Sequence, residues 1–111
     1  MIITEEIILK YAPSHIVHDF KESIKAYTDT NIQQYTWMMG ERPNIEELKA
    51  IIENSKQQAL DWLIRKHYTY YVDPETPERQ QMQVNLEKLE MAYNLDKLAG
   101  EPVTEIEMVN V

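Results

Sequence analysis

Residues 77–99 read Pro77-Glu78-Arg79-Gln80-Gln81-Met82-Gln83-Val84-Asn85-Leu86-Glu87-Lys88-Leu89-Glu90-Met91-Ala92-Tyr93-Asn94-Leu95-Asp96-Lys97-Leu98-Ala99. Apolar residues recur here at intervals of three and four, the period of a helix. On that helix Met82, Leu86, Leu89 and Tyr93 share one face, while Val84, Met91, Leu95 and Leu98 fall roughly on the other. A surface helix of a small monomer carries one apolar stripe, the one it turns to its core. Two opposed stripes predict a helix held between its own core and something else, so the chain reads as a component of a larger assembly.

Just upstream, Asp73-Pro74-Glu75-Thr76-Pro77 is a compact breaker. Thr76 is placed to cap the following helix and Pro77 to occupy its first position, with Gly100 as the residue just past its end. The helix before the breaker is expected to start at Asn44, with Glu46 and Glu47 in its first turn where carboxylates complement the dipole. Leu48, Ile52, Ser55, Ala59, Trp62 and Leu63 define one face of it, and the small residues at 55 and 59 allow a neighbouring helix to come close. From Leu60 onward a second stripe emerges, Leu60, Ile64, His67 and Tyr71. The short connection predicts that these two long helices pair as an antiparallel hairpin.

Nearer the N-terminus, Thr4-Glu5-Glu6 opens a short helix that must stop before Pro13. Ser14 is expected to cap the next, whose buried face reads Ile16, Val17, Phe20, Ile24 and Tyr27. Thr28-Asp29-Thr30-Asn31 then interrupts the pattern. Thr30 with Gln33 resembles a capping box that starts a new helix. The stripe also continues through Tyr35 and Met38, which fits one long kinked helix ending at Gly40 and Pro43. Four to five helices follow, an all-α bundle over residues 1–100. Beyond Pro102, Ile106 and Met108 alternate with Glu105 and Glu107, an extended C-terminal arm over 101–111. Such an arm either frays or adds to a sheet on another chain.

Composition narrows the function. With 111 residues the chain makes one domain. Two glycines are too few for a turn-dense sandwich or barrel. A net charge of −8 argues against binding nucleic acid through a basic footprint, but does not exclude a chain that lines a DNA passage or imitates DNA. No cysteine is present, which removes disulfides and thiolate metal sites. The start lacks the basic region of a signal peptide and no apolar run reaches membrane-spanning length, so no membrane is expected and the cytoplasm is the default site of assembly.

Chemistry-bearing clusters are few. His15, His18, Asp19 and Glu22 share one side of the second helix at metal-bridging intervals. This is not His-Glu-x-x-His, His67 is distant in sequence, and a solvated polar face explains the same pattern, so no metal or cofactor is expected. The stretch Trp62-Leu63-Ile64-Arg65-Lys66-His67-Tyr68-Thr69-Tyr70-Tyr71 mixes cations with rings. It can stack bases, complete a core while Arg65 and Lys66 reach water, or form an oligomer contact. The acidic balance favours core and contact. Trp37, Met38 and Met39 before Gly40 are adaptable apolar residues that also simply fill gaps. With no phosphate loop, nucleophile elbow or Cys–His pair, the chain does not read as an enzyme.

In its helix lengths and residue types the chain resembles the tailed-phage head–tail connector family, the neck adaptors or head-completion proteins. The likeness rests on Thr4-Glu5-Glu6-Ile7, on Ala59-Leu60-Asp61-Trp62-Leu63-Ile64-Arg65-Lys66-His67-Tyr68, on the proline-bearing link at 73–77, and on the helix from Leu86 to Leu98. The segment from His15 to Gly40 is longer than that family pattern. The resemblance implies a homo-oligomeric ring of about twelve copies below a portal, joined to tail and neck proteins, around DNA that passes without sequence-specific binding. It also implies a place in the virion neck and terminal arms that reach adjacent subunits. On this reading Leu60, Ile64, His67, Tyr71, Val84, Met91, Leu95, Leu98, Ile106 and Met108 are subunit contacts. The rival readings are a small acidic inhibitor or regulator that mimics DNA charge on a host protein, and a monomeric four-helix interaction module whose second stripes are covered internally.

Overall fold

Three side chains start three helices in the computed structural model, which describes residues 1–68 and 75–99. Thr4 Oγ1 accepts from the Ile7 amide at 3.3 Å and opens α1, Glu5–Tyr11. Asn44 Oδ1 accepts from the Glu47 amide at 2.9 Å and opens α3, Ile45–His67; its Nδ2 also donates to Glu47 Oε1 at 2.8 Å. Thr76 Oγ1 accepts from the Arg79 amide at 3.2 Å and opens α4, Pro77–Ala99, with the proline at the first position. Each cap satisfies an orphan amide that the helix cannot bond itself. The remaining helix, α2, runs Ser14–Met39 and differs from expectation at its start. Pro13 flanks it with no side-chain cap, and Ser14 is already helical.

α2 is one helix, not two. Thr30 lies in its interior, and Asn31 beside it reaches across the hairpin, where Nδ2 donates to Ser55 Oγ at 2.9 Å and to Gln58 Oε1 at 2.7 Å. Ser55 is fully buried and donates to the Ile51 carbonyl at 2.7 Å, so this polar group inside the contact is satisfied. The helix ends at Gly40, whose φ of 74° is left-handed backbone that a side chain strains.

The architecture is all-α: four helices and no strand among the described residues. The extensive antiparallel hairpin is α2 with α3, rather than α3 with α4. Contacts from Asp19 to His67 and from Asn31 to Ser55 fix its direction. α4 meets α3 near its C-terminal end, where Asn85 Nδ2 donates to the His67 carbonyl at 3.1 Å. Farther along, α4 meets α1, where the Tyr11 hydroxyl donates to Asp96, Lys10 pairs with Asp96 at 3.2 Å and Tyr93 stands edge-on to Tyr11.

Burial divides the hairpin into two parts. Ile8, Ile16, Phe20, Ala59, Leu60, Leu63, Tyr68, Leu86 and Leu89 form one core among all four helices. No residue from Ile24 to Asn54 is fully buried. The distal halves of α2 and α3 therefore make a two-helix arm, half-buried along its seam, that projects from the four-helix body. The stripe expected to continue through Met38 does not: Tyr35 is half-buried and Met38 is exposed. Tyr71, Gly100 and the arm at 101–111, with Ile106 and Met108, lie outside the described residues.

Candidate interaction surfaces

The opposed stripes of α4 meet opposite environments. Leu86 and Leu89 are buried and Met82 and Tyr93 half-buried against the body. On the other side Met91, Leu95 and Leu98 are each more than half exposed, and Val84 is exposed at the same face. Glu87, Glu90, Met91, Asn94, Leu95 and Leu98 line a shallow apolar groove there. Spacings of seven from Val84 through Met91 to Leu98, with Leu95 between, make a narrow seam of the kind that one helix offers another.

The second stripe of α3 meets a different fate. Leu60 is only 7% exposed and Ile64 packs against the core, so the chain itself covers both. His67 is drawn inward by a partner distant in sequence: its Nε2 lies 2.8 Å from Asp19 Oδ2, and Lys66 Nζ reaches the same oxygen at 3.1 Å. These two partners, His67 first, hold the Asp19 carboxyl below the usual carboxylate range. His15 stands edge-on to His67 with ring centroids 6.3 Å apart. The polar face of α2 is thus tied to the end of α3, and no group of three or more His, Asp or Glu among the described residues is arranged to hold a metal ion.

The cation–ring stretch completes the body. Tyr68 is buried, and desolvation pushes its hydroxyl up to about 12, so it stays protonated. Trp62 packs beside the core with Lys66 Nζ 4.8 Å above its ring, and Arg65 Nε donates to the Asp61 carbonyl at 3.3 Å. No described helix is long and apolar enough to cross a membrane.

A second bare patch lies at the end of the arm. Trp37 is 86% exposed, and Met38, Met39 and Ile45, at the same end of the hairpin, are all more than half exposed. The sequence carried a signal for this. Three consecutive apolar residues spread over about 200° of a helix, too wide for a single buried face. Scattered exposed hydrophobics are ordinary, but clusters of this size mark contact sites.

The chain matches no family model, no curated protein and no solved structure.

Proposed function

We propose that this chain is a non-catalytic assembly subunit that packs against further copies of itself into a ring, as an adaptor between portal and tail in a phage neck. The observation that carries assembly is the bare seam of α4, Val84, Met91, Leu95 and Leu98, opposite a face already buried in the body. Water is a poor solvent for such a stripe, and a neighbouring helix removes it at about 25 cal/mol per Å². The place in a neck rests on the resemblance in helix lengths and residue types, and the excess of acids suits a channel that repels passing DNA.

Among the described residues, internal cover on Leu60, Ile64 and His67 leaves the outer stripe of α4 as the bare one. That favours, as the second reading, a helical interaction module with a single partner. Light scattering after size exclusion, across a concentration series, separates the two. Assembly predicts a mass many times the 13.2 kDa of one chain. A single-chain mass at every concentration rejects it and leaves the interaction module.

A further inference from the structure

We draw no further inference here: the strongest candidate, the exposed apolar face of α4 formed by Val84, Met91, Leu95 and Leu98, carries nothing beyond the assembly already proposed, because nothing in the structure shows what covers it.

Discussion

Asp19 joins two stretches of sequence 48 positions apart. Its Oδ2 sits 2.8 Å from His67 Nε2 and 3.1 Å from Lys66 Nζ, so one carboxylate ties the first turns of α2 to the last turn of α3. The folded carboxyl is depressed relative to its value in the unfolded chain, about 3.9. Its contribution is therefore complete above that pH and is lost as pH falls through the lower folded value. Asp96, depressed by Tyr11 and then Lys10, behaves the same way at the α1–α4 contact. Asp19→Asn should lower the urea midpoint at pH 6 and flatten its decline below about pH 4, leaving the slope that Asp96 supplies. An unchanged slope would remove Asp19 from the account. Sequence alone made Asp19 visible as a member of a polar face, together with His15, His18 and Glu22. Its partner was not visible, because His67 lies 48 positions away and only the pairing of α2 with α3 brings it near.

At the scale of elements, local chemistry was legible and pairing was not. Thr4, Asn44, Thr76, Pro77 and Gly40 act within three or four residues of themselves, so their roles follow from spacing, and the structure places them there. Ser14 is the exception: Pro13 already ends α1 and presets the backbone for α2, which makes a side-chain cap dispensable. Which helices pair depends on burial far along the chain. The short link before Pro77 pointed to α3 with α4, yet α2 continues unbroken past Thr30 and pairs with α3 from Asp19–His67 to Asn31–Ser55. The same continuity explains the second stripe of α3: with α2 on one side and α1 and α4 around the body, Leu60 and Ile64 meet core on both faces. The arm is the element with least support, since its two helices cover only each other. Asn44→Ala removes the cap and the bond to Glu47 at the start of α3, and is expected to cost about 1 kcal/mol. In hydrogen exchange, amides from about 45 to 52 should lose protection before those near Leu63. Uniform loss along α3 would mean that the arm and the body unfold as one unit.

Over the whole molecule, the composition set the class and the patterns located one of the two exposed patches. The opposed stripes of residues 77–99 were readable because both obey the helical period, and the structure buries one and bares the other. The arm was not readable, because its seam residues look like any core stripe until one asks what else packs on them. Its tip turns three apolar side chains and Ile45 to water at the far end of the body from α4. The molecule thus carries its core at one end and exposed apolar side chains at the other.

The most direct test is the solution mass of the Met91→Glu, Leu95→Glu protein beside the parent at matched concentration, with helicity recorded for both. The account predicts a multimeric parent and a variant at 13.2 kDa with unchanged helix content. Equal masses for the two proteins, at any value, would contradict it.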